Sequence, residues 1–346
     1  MKILEDGVAQ GVFPFARAEV MHQGRHVISA GNAPAEMVFD LASLTKVMCT
    51  TTVCLDLVAR RQLELTPALE DLLFHRSGLP AFLPFFAEAL TTWPELQEPS
   101  CSPETRAAAR AHVVAAARST PRATRRAAVY SDLGFIILGE ALADAGGATL
   151  DALFVKHVAD PLGLQSARYR RLSDPPPAPL YVAATGDTRP REPAPGQEGL
   201  WAVQQRPTRP AEVDDDNAWA MDGVSGHAGL FGTAADVMRV GQAVLEGRFA
   251  PPTPWGPDRS TPGSTRALGF DTPSAEASSA GPRFGRKGPK GAIGHTGFTG
   301  TSLWVDLDRQ LVVALCTNRV ALGRANVKIR EYRPAFHEAV LDTLHL

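Results

Sequence analysis

Phe39-Asp40-Leu41-Ala42-Ser43-Leu44-Thr45-Lys46 is the stretch on which the reading of this 346-residue chain turns. Lysine is scarce: Lys2, Lys46, Lys156, Lys287, Lys290 and Lys328 are the six present among 35 basic side chains. Lys46 follows a serine by three residues, where a helix should open. On a helix, residues i and i+3 share a face, so this hydroxyl and this amine can meet. A neutral lysine beside a serine is the minimum for a nucleophile whose proton is taken by an amine. Arginine cannot do that work, because it does not deprotonate in proteins. The bland alternative makes Ser43 a plain helix cap and Lys46 a solvated first-turn side chain. The helix dipole disfavours a cation there, and the apolar surroundings disfavour it further.

The segment Leu44 to Val58 is apolar nearly all round, as for a helix buried inside a domain. Its β-branched residues lower the propensity, so burial has to override them. Ser43 then sits at the first turn, where free N–H groups and the dipole favour an alkoxide-like nucleophile.

Length allows one compound domain or two interleaved ones. A net charge of −2 and a hydrophobic share of 44% describe an ordinary globular chain with no electrostatic call for nucleic acid. No apolar run reaches spanning length, so no membrane span is expected. The opening Met1-Lys2-Ile3-Leu4-Glu5-Asp6 turns acidic at once and lacks a signal-peptide core. A cytoplasmic protein is therefore expected, or a periplasmic or extracellular one if a leader has been removed. Cys49, Cys54, Cys101 and Cys316 show no C-x-x-C and no metal spacing, and they read as reduced, buried thiols. No metal and no organic cofactor is expected.

Ala16–His22 and His26–Ser29, around Gln23-Gly24-Arg25, read as a β-hairpin. Helices are expected at Ser102–Ser119, at Tyr130–Ala145 closed by Gly146-Gly147, and at Asp151–Ala159 stopped by Pro161. Thr233-Ala234-Ala235-Asp236 is a capping-box pattern for a helix to about Leu245. Thr301–Leu307 and Leu311–Thr317 read as a second hairpin, and a last amphipathic helix is placed from Arg333. The Pro-rich stretches Ser173–Ala211 and Ala250–Gly291 read as long loops. The expected fold class is α/β: an antiparallel sheet flanked by helices, with an inserted all-α region. The sheet domain is placed at 1–40 and 225–346, and the helical insertion with its loops at 41–224.

Three further motifs matter in combination with Ser43 and Lys46: Tyr130-Ser131-Asp132 before a helix, Gly294-His295-Thr296-Gly297-Phe298-Thr299-Gly300 opening the last strands, and Gly226-His227-Ala228-Gly229-Leu230-Phe231-Gly232. With them the chain resembles the penicillin-recognising serine hydrolases, closest to the group of class C β-lactamases, DD-peptidases and related esterases. That family carries S-x-x-K, Y-x-N and K-T-G in this order; here they read Ser43–Lys46, Tyr130–Asp132 and His295–Gly297. The resemblance implies that Ser43 is acylated and Lys46 accepts its proton. It implies that Tyr130 is a second acid/base, and that the backbone N–H groups of Ser43 and Phe298 form the oxyanion hole. Asp132, His295, Thr296 and Gly297 would contact the substrate, with Gly297 leaving the strand edge clear.

Two departures bear on substrate. His295 replaces a lysine that holds a substrate carboxylate, and Asp132 replaces an asparagine with an acceptor-only carboxylate. Both favour uncharged acyl substrates. Trp219 is weighed as an acyl-pocket wall against simple core packing. His75 and His227 read as structural, bonding to backbone. Glu212 with Asp214-Asp215-Asp216 reads as a solvated acidic turn rather than a cation site.

The expected activity is hydrolysis of a small carboxylic ester through an acyl-Ser43 intermediate. The alternatives are a β-lactamase or D-amino-acid-specific carboxypeptidase, and a non-catalytic sensor that captures an acyl ligand. The partner is a small acyl substrate; the residues give no oligomeric state.

Overall fold

The structure is a computed structural model that describes residues 1–124, 127–174, 181–185, 211–258, 260–274 and 278–346. Its centre is a five-stranded antiparallel sheet: β1 (Ala16–His22), β2 (Arg25–Gly31), β6 (Ala292–Thr296), β7 (Ser302–Asp306) and β8 (Leu311–Thr317). Their order is β2-β1-β8-β7-β6, so strands from both ends of the chain meet at β1 and β8. The first hairpin turns on two residues, Gln23 and Gly24, both at positive φ, the conformation that matches the strands' own twist. Three two- and three-residue strands, β3 (Phe39–Asp40), β4 (Arg168–Tyr169) and β5 (Leu230–Gly232), make a small second sheet in the order β3-β5-β4.

Period-two alternation sends the faces of β8 into different cores. Leu311, Val313 and Leu315 join Ala18 and Val20 under the terminal helices Lys2–Ala9 and Ile329–Thr343. Val312, Ala314 and Cys316 face the larger core, where the helix Ala234–Leu245 covers the sheet. A Cβ on Gly241 would come within 2.6 Å of Val312, so glycine sets the distance of that helix. The helices Thr51–Ala59, Pro103–Ser119 and Asp132–Gly146 fill the region between β3 and β5. This is the expected α/β architecture with helices inserted between sheet segments.

Several boundaries follow the expected chemistry. Ser102, Ser131 and Thr233 cap their helices, the last in a full capping box, and Gly147 in the left-handed region closes Asp132–Gly146. Others do not. The helical run from Leu150 continues through a wide-turn stretch, Val155–Ala159, past Pro161 and ends at Gly163. The last helix begins at Ile329, with Pro334 inside it. All four cysteines are buried and free, as expected. Of the expected loop Ser173–Ala211, most lies outside the described residues; Val182 forms a parallel bridge with Val38. Among the described residues no single helix is long and apolar enough to cross a membrane.

Candidate active site

Ser43 is presented by a turn that the sheet holds from both sides. Leu41 N–H donates to Leu230 O at 2.9 Å, and the Asp40 carboxylate accepts the Ala42 N–H at 2.8 Å. Ala42 is thereby held at φ 48°, a left-handed conformation that costs a non-glycine residue about 1 kcal/mol. The chain then enters a helical path whose stretch Lys46–Thr50 is a wide π-type turn, a deformation that clusters at functional sites. Thr45 Oγ1 accepts the Leu230 N–H, and Thr50 Oγ1 donates to Gly226 O, tying this helix to the Gly226–Gly232 segment.

Three groups converge there. Lys46 Nζ lies 3.0 Å from Ser43 Oγ, and Tyr130 donates its hydroxyl to the same oxygen at 2.8 Å. Tyr130 is positioned by its neighbours. The Ser131 N–H donates to His75 Nδ1 at 3.0 Å, Val129 N–H to His75 O, and the two rings lie 4.8 Å apart. His75 and His227 have the supporting roles expected: His227 Nε2 bonds Asp215, and its backbone carbonyl accepts from Lys46 at 3.0 Å.

The charge on Lys46 corrects the neutral amine expected from sequence. Burial, at 0% exposure, works against the ammonium. The Asp132 carboxylate at 2.7 Å and the Tyr130 hydroxyl outweigh it, so its pKa is raised above the ordinary lysine value. Asp132 is therefore a counter-ion to Lys46 as well as a wall of the cleft. Burial of the hydroxyl also pushes the Tyr130 phenol up to about 12, with Lys46 pulling the other way. It remains a protonated donor at neutral pH.

The Gly294–Gly300 segment brings the second half of the site. Thr299 Oγ1 donates to Asp40 O at 2.7 Å and Thr301 Oγ1 to Leu41 O at 3.1 Å, so the loop after β6 docks on the Ser43 turn. Among the described residues no acceptor claims the N–H of Ser43 or of Phe298, which leaves both donors for an oxyanion. Packing requires glycine at 297: a Cβ there would sit 2.0 Å from Thr301 Oγ1 and 2.6 Å from Leu41 O. His295 donates from Nδ1 to Thr296 O at 2.8 Å, leaving Nε2 as a buried acceptor with no partner among the described residues. Burial first, then Lys46 and Arg266, hold its pKa well below the usual imidazole value, so it is a neutral acceptor where the family has a cation.

A cleft of about 500 Å³ joins Ser43, Tyr130, Asp132, His295, Thr296 and Gly297. Trp219 is buried in the core and is not among the described residues that line this cleft. The acidic run is not a solvated turn. Asp214 and Asp216 are buried on Arg324, and Asp215 caps the helix Asp216–Ala220 while bonding His227. Among the described residues no cluster of metal ligands occurs.

Sequence reasoning missed the basic end of the cleft: Arg319, Arg330 and Arg333, beside Gly297 and Phe298. Among the described residues Arg319 and Arg333 donate only to backbone carbonyls, Phe298 O and Gly297 O included. Burial lowers their pKa values to about 10 and about 9, which leaves both charged at neutral pH. The signal was visible, since Arg319 to Arg333 holds four arginines and a lysine against one glutamate.

With this geometry in place, comparison with known proteins is direct. Residues 2–335 match the family described as Beta-lactamase. The N-acetylmuramyl-L-alanine amidase of Bacillus subtilis (strain 168) is 28% identical over 92% of this chain and 80% of that protein. The D-amino acid amidase of Ochrobactrum anthropi SV3, solved with L-phenylalanine amide, superposes with a TM-score of 0.63 at 18% identity, over 99% of this chain and 97% of that one. EstCE1, a hydrolase with promiscuous acyltransferase activity, superposes at 0.60 with 17% identity, over 96% and 97%. Identities this low in the two solved structures speak for the fold alone. Because the family match runs over nearly the whole chain, the chain belongs to the Beta-lactamase family of serine hydrolases.

Proposed function

We propose that the chain hydrolyses small carboxylic esters through an acyl-Ser43 intermediate. The observation that carries this reading is the convergence of Lys46 Nζ and the Tyr130 hydroxyl on Ser43 Oγ, at 3.0 Å and 2.8 Å. A hydroxyl held between an amine and a phenol can lose its proton to one side while the other returns a proton to the leaving group. The free N–H groups of Ser43 and Phe298 would stabilise the oxyanion formed on attack. Neutral His295 favours an ester without a charge at that point.

A second reading has its own observation. Arg319, Arg330 and Arg333 have no carboxylate within salt-bridge distance among the described residues, so this end of the cleft suits a substrate carboxylate. An amide with a terminal carboxylate would exploit it, and the Bacillus subtilis relative is named for amide hydrolysis.

Initial rates on p-nitrophenyl butyrate, nitrocefin and a D-Ala-D-Ala peptide rank the readings. The ester is expected to be turned over fastest, and Ser43→Ala should remove all turnover. Faster turnover of the peptide would replace the ester reading with the carboxylate-bearing amide.

A further inference from the structure

Lys46 has no lone pair to offer in the resting site. A lysine ammonium has three N–H donors, and three acceptors surround this one: Ser43 Oγ at 3.0 Å, Asp132 Oδ1 at 2.7 Å and His227 O at 3.0 Å. Ser43 Oγ in turn receives from Lys46 and from Tyr130, which occupies both of its lone pairs. Before Ser43 can be deprotonated by this amine, Lys46 must give up one proton. His227 offers a peptide carbonyl, which does not hold a proton at ordinary pH. Tyr130 already carries its own. Asp132 is the remaining contact, and it is a carboxylate at ion-pair distance.

We infer that Asp132 is the terminal proton acceptor of the acylation step, working through Lys46. The inference rests on the acyl-Ser43 reading and deepens it. In the step, one N–H bond of the Lys46 ammonium breaks and an O–H bond forms on Asp132 Oδ1. The amine turns about its Cε–Nζ bond and presents its lone pair to Ser43. The Ser43 O–H bond then breaks as the Oγ–carbon bond forms, the proton goes to Nζ, and the carbonyl π pair moves onto the oxyanion. When the tetrahedral species collapses, the Tyr130 phenol protonates the leaving atom, Lys46 passes one proton to the Tyr130 phenolate, and the proton held on Asp132 returns to Lys46. No proton is gained or lost over acylation.

Asp132 is well placed for this. It is the first residue of the helix Asp132–Gly146, its backbone N–H is fixed to Ala81 O at 2.9 Å, and Ser131 supplies the cap. The other charged and titratable groups around the pair are engaged elsewhere. Asp215 bonds His227, Asp271 is paired with Arg266, and Arg266 lies over the Tyr130 ring at 5.1 Å. His75 and His295 are held neutral, by burial first and then by neighbouring cations including Lys46.

The test is the pH profile of kcat/KM for the wild type, Asp132→Asn and Asp132→Glu, with fluorophosphonate labelling and circular dichroism of each. With asparagine, Lys46 must lose its proton to solvent before reaction. The rate near neutral pH should fall about 100-fold and recover as pH rises, and the acidic limb should move up by more than one unit. Glutamate restores a carboxylate, so its acidic limb should stay near that of the wild type at a rate within about tenfold. An asparagine variant with an unmoved limb and near wild-type rate would overturn the relay, as would one that is faster at neutral pH. If the asparagine variant does not fold, glutamate decides alone: a limb displaced upward contradicts the relay. A wild type that fluorophosphonate does not label, or an active Ser43→Ala, is a different result and removes the acyl-serine reading itself.

Discussion

At Lys46 two opposing effects meet, and their sizes decide the chemistry. Full burial costs a lone ammonium several kcal/mol and works against its charge. A carboxylate at 2.7 Å reverses that, and the residue stays charged in the free protein. Substituting Lys46 by alanine should reduce kcat by at least about 100-fold, the usual scale for lost acid–base assistance, measured on the preferred ester under saturation. A rate within a few-fold of wild type would show that Tyr130 alone suffices. Ser43 and Lys46 were legible in the sequence because a serine and a lysine three residues apart on a helix must share a face, and Tyr130 only through the family resemblance that the motifs together carry. The charge was not legible. It depends on Asp132, which lies 86 residues from Lys46 in sequence and meets it only through tertiary packing. The same holds for His295, whose tautomer is set by the Thr296 carbonyl and whose neutrality is set by burial.

The elements that matter most are the Ser43 turn and the loop after β6, locked together by Thr299 and Thr301. Gly297→Ala tests that lock. Its Cβ would meet Leu41 O at 2.6 Å, so the loop must move away from Ser43 and carry the Phe298 N–H with it. Loss of one oxyanion donor is worth about 100- to 1,000-fold in kcat. We expect a fall in that range with KM little changed, and a drop confined to KM would place Gly297 in substrate binding instead. Helix starts were readable where a Ser or Thr cap stood before them, as at Ser102, Ser131 and Thr233. The last helix, expected from Arg333, begins at Ile329 and carries Pro334 inside it. Pro161 suggested a stop, but the wide turn Val155–Ala159 before it lets the helix pass.

Over the whole molecule, buried titratable groups make stability depend on pH. Burial keeps His75, His295 and His337 neutral in the fold, the last with its pKa lowered to about 3 and both ring nitrogens without a partner among the described residues. In the unfolded chain each binds a proton below about pH 6.5, so folding stability falls as pH drops from there, by about 1.4 kcal/mol per unit for each proton. Asp40 acts oppositely. Burial raises its pKa to about 7, so its share of stability is full below about pH 4 and is lost as pH rises through about 7. Between those values it offsets one histidine, and Asp271, whose pKa burial also raises, offsets part of another, leaving the net in favour of the histidines. Thermal melts between pH 4.5 and 6.5 should therefore show falling stability towards acid, and His337→Leu, between Phe284 and Phe336, should reduce that slope by about one proton. An unchanged slope would mean His337 titrates alike folded and unfolded. At this scale the α/β class and the sheet built from both termini were readable, because period-two strands flanked the helical stretch. The cleft's lining was not, because Arg266 and Asp271 come from a Pro- and Gly-rich segment with no periodicity. The most direct test of the acyl-Ser43 mechanism is intact-mass spectrometry of the protein quenched during turnover of p-nitrophenyl butyrate, followed by peptide mapping. A mass gain of one butyryl group on the peptide containing Ser43, absent from Ser43→Ala, is the predicted result. Turnover with no adduct, or an adduct that persists in Ser43→Ala, would contradict it.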